Sequence, residues 1–323
     1  ISRKLAVISV NDAFNQGAGR WMVVYEFNRH GIIFAIVGVE PPAYEIWDLH
    51  RTLAANREVT MINLVLCLEC TSSMASYLNE VRRMIISILN STVALNPNAI
   101  RMSLIQFRSR ARHDVWWTNT YAWTESINVL NQWSDNIEAF GGSEDEGEAV
   151  GDALQEALNI FRLLNDDNGR FDKKLVILIT DGPPSGLFVL LNGVSGDRFA
   201  QANGADPWLV ANEFNRERIA LAIVGVEPGI VQCDDYYCAL ARKTGGLYIP
   251  LINATYIISS VIRSVIINEY TFHEAFLGIK IDNLEQNSLF IYSAMKQRVN
   301  GMLMECKSMA DIQKLFFNYR TSY

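Results

Sequence analysis

At 323 residues, with 50% hydrophobic and 20% charged side chains, the chain has an ordinary globular composition. That excludes a disordered tail, a collagen-like repeat and a disulfide-dense scaffold. Its length fits one large domain with appendages or two ordinary domains, and a formal net charge of −7 offers no general attraction to phosphate backbones, so no nucleic-acid partner is expected.

The chain opens on an internal repeat. Trp21 to Pro41 realigns with Trp208 to Pro228, with 14 of 21 positions identical, and Lys4 to Ala13 matches Lys174 to Pro183 more loosely. Residues 1–61 therefore read as the back half of a fold whose complete copy follows, with the front half missing. Such a half-copy leaves an open sheet edge and an uncovered apolar face, so it is expected to dock on something, to be partly disordered, or to be a gene fragment. From residue 62 on, apolar runs of strand length alternate with segments of helical period. Ile62 to Leu68 is a strand and Ser76 to Leu89 a helix. Ile100 to Phe107 is the next strand, with Val115 to Trp117 as a short companion. Ala149 to Leu164 is an amphipathic helix, and Leu175 to Thr180 a fully buried strand. Pro207 to Arg216 is a helix with Pro in its first turn, followed by strand Ile219 to Val226, helix Cys233 to Thr244, strand Leu247 to Leu251 and helix Ala254 to Glu269. Ala275 to Tyr323 reads as mainly helical, either an extra cover or an interaction pair. This order predicts a doubly wound α/β fold at 62–270, with a mostly parallel sheet, helices on both faces and a helical tail at 271–323. Loops that follow the strands then share one sheet edge, where a ligand site belongs.

Five cysteines (Cys67, Cys70, Cys233, Cys238 and Cys306) are spread along the chain without a secretory leader, so reduced thiols and a cytoplasmic location are expected. Cys67 and Cys70 have CxxC spacing, but Cys67 lies inside an apolar run and no second pair supports zinc. Arg108, Arg110 and Arg112 form a basic cluster that reads as a solvated loop. The apolar stretch Tyr256 to Tyr270 is broken by Arg263 and is too short to span a bilayer. The first residue is Ile1 rather than Met, so the chain reads as a piece of something longer.

Three strand-end loops gather hard oxygen donors. Glu69-Cys70-Thr71-Ser72-Ser73-Met74 offers an acid and two hydroxyls at alternate positions. Gly141-Gly142-Ser143-Glu144-Asp145-Glu146-Gly147-Glu148 is a glycine turn followed by acids, and Thr180-Asp181-Gly182-Pro183-Pro184 places an acid where the most apolar strand ends. A small divalent cation takes octahedral oxygen coordination, and hydroxyls and carboxylates from such loops supply it with one position left open for an acidic partner. Singly, each element is better read as structural: Thr71 or Ser73 as a helix N-cap, Glu144 to Glu148 as a helix-start charge cluster and Asp181 as a turn acid.

In this order the loops resemble the von Willebrand factor type A family, over roughly residues 62 to 270. In detail they look most like its intracellular subgroup associated with alpha-type atypical protein kinases, through Leu68 to Met74, Phe140-Gly141-Gly142, Glu148-Ala149-Val150 and Ile179 to Pro184. The resemblance implies a metal-ion-dependent adhesion site holding Mg²⁺ or Mn²⁺. Carried over by position, Thr71 and Ser73 are direct ligands, Asp181 and Glu69 are acidic partners of the metal and its waters, and Ser143 or Asp145 is the glycine-loop donor. Glu69 stands where the family has Asp, which moves the carboxylate by roughly 1.5 Å, one C–C bond. A metal-free interaction domain is the alternative if the site does not tolerate that. A second alternative is a targeting or regulatory part of a larger kinase-type enzyme.

A nucleotide enzyme is disfavoured, because no phosphate-binding Gly-rich loop with Lys occurs and Gly17-Ala18-Gly19 lacks the third glycine. A hydrolase is disfavoured as well, since His30, His50, His113 and His273 are scattered with no elbow motif beside a serine. The expected function is metal-dependent protein binding without catalysis.

Overall fold

The computed structural model describes residues 60–96, 99–109, 116–142, 147–164, 173–187, 204–279 and 289–320. Nearly all of the repeat in residues 1–61, and both Ser143 and Asp145, lie outside them.

β1 (Ile62–Glu69) is buried along its whole length because it pairs on both sides, parallel to β2 (Ile100–Phe107) and to β4 (Lys173–Thr180). β5 (Ile219–Gly225) and β6 (Tyr248–Pro250) extend the parallel sheet beyond β4, and β3 (Thr118–Thr120) closes the other side antiparallel to β2. Among the described residues the order is β3-β2-β1-β4-β5-β6. The expected companion strand at Val115 to Trp117 is thus corrected to Thr118–Thr120. An edge strand needs no apolar run, and Thr-Asn-Thr serves where one side faces water.

Alternation along the strands feeds two separate cores. Leu64, Leu66 and Leu68 point to one face, which is covered by α1 (Leu78–Leu95), α6 (Leu251–Ile266), α7 (Phe272–Gly278) and Leu130 of α2 (Ile127–Asp135). Val65 and Cys67 point to the other, covered by α3 (Val150–Arg162), α4 (Pro207–Arg216) and α5 (Asp234–Lys243). Buried positions Leu78, Val81, Ile85, Ile88 and Leu89 repeat at helical spacing, which is why α1 forms and which side it buries.

The last two helices belong to the second core. α8 (Leu289–Glu305) lies against α5, and α9 (Met309–Arg320) against α4, burying Val299, Met302, Met309 and Ile312. One carboxylate fastens this junction. Asp206 Oδ1 accepts from Trp208 N at 2.8 Å and Leu209 N at 3.1 Å, capping α4, while its Oδ2 accepts from Met309 N at 2.8 Å at the start of α9. The Trp208 indole donates to Cys306 O at 2.9 Å, and Arg298 Nε meets Asp235 Oδ2 at 2.6 Å.

Candidate metal centre at the strand-end edge

Connections leave β1 and β4 toward opposite sides of the sheet, so their C-terminal ends flank the crevice where doubly wound folds bind ligands. Glu69 ends β1, and Asp181 directly follows Thr180, the last residue of β4. A 3₁₀ turn, Ser72–Ser76, lifts the chain from β1 into α1 and brings Thr71 and Ser73 over the same point. Thr71 stands at the N-cap of that turn, yet its hydroxyl makes no capping bond.

The Thr71 hydroxyl donates instead to Glu69 Oε1 in a very short bond. Ser73 Oγ donates to Asp181 Oδ1 at 3.0 Å. Glu69 Oε2 accepts from Thr180 Oγ1 at 2.5 Å and from Asp181 N at 3.1 Å. Glu69, Thr71, Ser73 and Asp181 are therefore brought together, with Glu69 fully buried, Thr71 and Asp181 buried, and Ser73 open to solvent. Thr180 joins them. A Thr at the end of a β-rich run reads as an ordinary strand former, so the sequence carries no signal for its role.

Each hydroxyl has one proton to give. Thr71 is bonded to Glu69 and Ser73 to Asp181, and the two hydroxyl oxygens lie 3.0 Å apart. Either hydroxyl can donate across that contact, and its length is also the spacing of two neighbouring ligands on one cation. The edge of an Mg²⁺ octahedron with bonds of 2.0–2.1 Å is about 2.9 Å, close to both the Thr71–Ser73 and Ser73–Asp181 separations of 3.0 Å. The residues fit a small divalent ion. Thr71 Oγ1, Ser73 Oγ and Asp181 Oδ1 would hold it, while both Glu69 oxygens are already taken up by Thr71, Thr180 and the Asp181 N–H. Burial first, and the Asp181 carboxylate second, raise Glu69 above the usual carboxylate range, against the hydrogen bonds from Thr180 and Thr71. Among the described residues no group of three His, Cys, Asp or Glu side chains gathers in metal-holding range, so this donor set depends on its hydroxyls.

The glycine loop is bonded directly to the ligand loop. Phe140 N donates to Cys70 O at 3.1 Å, and Gly141 O accepts from Ser72 N at 3.1 Å and Ser72 Oγ at 2.9 Å. Gly142 has φ +86°, and a Cβ there would lie 3.0 Å from Thr71 Cβ, so only glycine lets the loop approach this closely. Behind Asp181 the chain is tied down by Tyr237, whose hydroxyl donates to Gly182 O at 2.8 Å, and by Ser185 N, which donates to Glu148 O at 2.8 Å.

One expectation changes here. Arg108 is not in a solvated loop: it is 1% exposed, and its guanidinium lies 3.0 Å from the centroid of the Phe140 ring and 3.8 Å from that of Trp116. The aromatic residues that draw it in come from separate segments, which a reading of local composition misses. Arg110 and Arg112 lie outside the described residues. Cys67 and Cys70 fall into the cores on opposite faces of the sheet, and burial pushes both thiols up. CxxC spacing along a strand cannot bring them to one ion.

The von Willebrand factor type A domain profile matches residues 63–237. The chain belongs to that family. Its doubly wound α/β fold is therefore that of a von Willebrand factor type A (vWA) domain, with the crevice described above at its strand-end edge. Among solved structures it is similar to the pilus adhesin SpaC from Lactobacillus rhamnosus GG in its open conformation, at 15% identity and a TM-score of 0.47, over 65% of this chain and 30% of the adhesin. It is also similar to proximal thread matrix protein 1 from the mussel byssus, at 15% identity and 0.41, over 64% of this chain and 46% of that one. A third similar structure is the vWF domain of the type V pili tip protein Mfa5 from Porphyromonas gingivalis, at 10% identity and 0.44, over 66% of this chain and 97% of that domain. The matched part of this chain thus corresponds to less than half the length of the first two. No curated protein matches the chain. No helix among the described residues is long and apolar enough to cross a membrane.

Proposed function

We propose that this vWA domain is a metal-ion-dependent protein-binding module without catalytic activity, using Mg²⁺ or Mn²⁺ held by Thr71, Ser73 and Asp181. The observation that carries this reading is the pair of hydroxyl oxygens 3.0 Å apart, each also bonded to an acidic side chain. A divalent ion so held offers an open position to an acidic side chain of a partner protein. Glu69 acts through the other residues, by fixing the Thr71 hydroxyl and the backbone at Asp181. The motif likeness to the kinase-associated subgroup favours an intracellular site of action, and five free cysteines, four of them buried, suit a reducing compartment.

Calorimetric titration of Mg²⁺ and Mn²⁺ into the full chain tests the metal reading. Saturable binding, lost in Asp181→Ala, is expected. A wild-type chain that is folded by circular dichroism and takes up neither ion overturns it.

A further inference from the structure

Beside the donors stands an aromatic rim that the metal reading does not use. Phe140 and Trp117 are each 45% exposed, and both sit on backbone bonded to the strand ends at the crevice. Phe140 N donates to Cys70 O at 3.1 Å, one residue from Thr71, and Trp117 O accepts from Arg108 N at 3.0 Å at the end of β2. Trp116 meets Phe140 edge to face, with ring centroids 6.4 Å apart. Isolated exposed apolar side chains are common on any protein and need no explanation. Phe140 differs because its backbone is bonded to the donor loop and its ring is packed against Trp116 and over the buried Arg108 guanidinium, 3.0 Å from its centroid.

We infer that Phe140, held on Trp116 and Arg108, is a specificity-determining residue of the metal edge, fitting a partner segment in which the coordinating carboxylate is followed directly by an aromatic side chain. This rests on the metal-dependent reading above. The carboxylate takes the open metal position, and the neighbouring ring packs on Phe140. An aromatic pair of this kind tightens binding by roughly 2- to 12-fold over the same contact without a ring.

Propionate and 3-phenylpropionate carry the two chemistries without requiring a known partner. Each is titrated against the full chain by ligand-observed NMR, in Mg²⁺ and in EDTA. The expected result is Mg²⁺-dependent binding of both, with 3-phenylpropionate favoured by roughly 2- to 12-fold. The ratio falls toward one in Phe140→Ala while Mg²⁺ affinity is unchanged. Phe140→Leu keeps an apolar cover over Arg108 should the alanine variant unfold, and is expected to lose the preference as well. Equal affinity for the two acids in wild type, a preference that survives in Phe140→Leu, or no binding of either acid to the Mg²⁺-loaded chain each overturns the rim assignment and leaves the metal site standing. Failure of Mg²⁺ itself to bind overturns the metal reading, and the rim assignment with it.

Discussion

Replacing Gly142 with alanine perturbs the ligand loop without touching a ligand. The backbone there has φ +86°, and the new Cβ would lie 3.0 Å from Thr71 Cβ and 3.1 Å from Thr71 Cγ2. Holding an L-residue in that region costs roughly 1–2 kcal/mol. The methyl contact then forces Thr71 to give by a few tenths of an ångström, which moves Oγ1 relative to Glu69 and Ser73. Stability should fall by about 1–3 kcal/mol, each kcal/mol lowering Tm by roughly 2–4 °C in a domain of this size. Mg²⁺ affinity should fall by about 10- to 100-fold, the scale of one weakened contact to a charged group. Differential scanning calorimetry and Mg²⁺ titration read the two effects separately. Adding Thr71→Ser removes Cγ2 and keeps the hydroxyl, so the double variant should recover part of the metal affinity but none of the backbone strain. Wild-type metal affinity in Gly142→Ala, or no recovery in the double variant, would refute the claim that Gly142 is there to let Thr71 sit in place.

Three further outcomes follow from named contacts. Glu69→Asp shortens the reach by about 1.5 Å and should break the bonds to Thr180 and Asp181 N, lowering stability by about 1–3 kcal/mol in urea denaturation and weakening Mg²⁺ binding. Tighter Mg²⁺ binding in that variant would show the longer side chain to be a hindrance. Asp206→Ala removes the caps of both α4 and α9 and should cost about 1–4 kcal/mol. Asp206→Asn keeps one acceptor oxygen and should cost roughly half as much in the same assay. Burial, and then the charge of Asp235, push Asp234 up to about 6, above its value in the unfolded chain. The folded state therefore holds the extra proton between about pH 4 and 6, and stability falls as pH rises through that window. Urea midpoints measured across it should decline in wild type and flatten in Asp234→Asn.

How legible each part was depends on where its signal lies. Strands buried on both faces, such as Ile62–Glu69 and Ile219–Gly225, announce themselves as apolar runs, because every residue meets a core. A carboxylate closing such a run stands out for the same reason, which made Glu69 and Asp181 visible. Edge strand Thr118–Thr120 did not stand out, since one side of it needs no core. The Asp206 cap of α4 was half visible, through Pro207 at the first turn, but its second use at Met309 lies 103 residues away in sequence. Arg108 was misread because its burial is created by Trp116 and Phe140, which reach it only once the sheet has formed.

Glu69 shows how a departure from a motif becomes consistent with a working site. The two ends of the crevice belong to different strands, and β1 and β4 are bonded to each other only up to Leu68 and Ile179. Past that point something must hold Asp181 against the Thr71 loop. Glu69 does so from within β1: one carboxylate oxygen fixes the Thr71 hydroxyl, and the other accepts from Thr180 Oγ1 and Asp181 N on β4. The added methylene extends the reach from β1 to its neighbour, so the longer acid braces both halves of the crevice while Thr71, Ser73 and Asp181 remain to face an ion. Glu69 is fully buried, so water does not compete for its oxygens, and hydrogen bonds made there are stronger than in water. On this argument Glu69 positions Thr71, Ser73 and Asp181, the three donors of the proposed metal edge, from within β1.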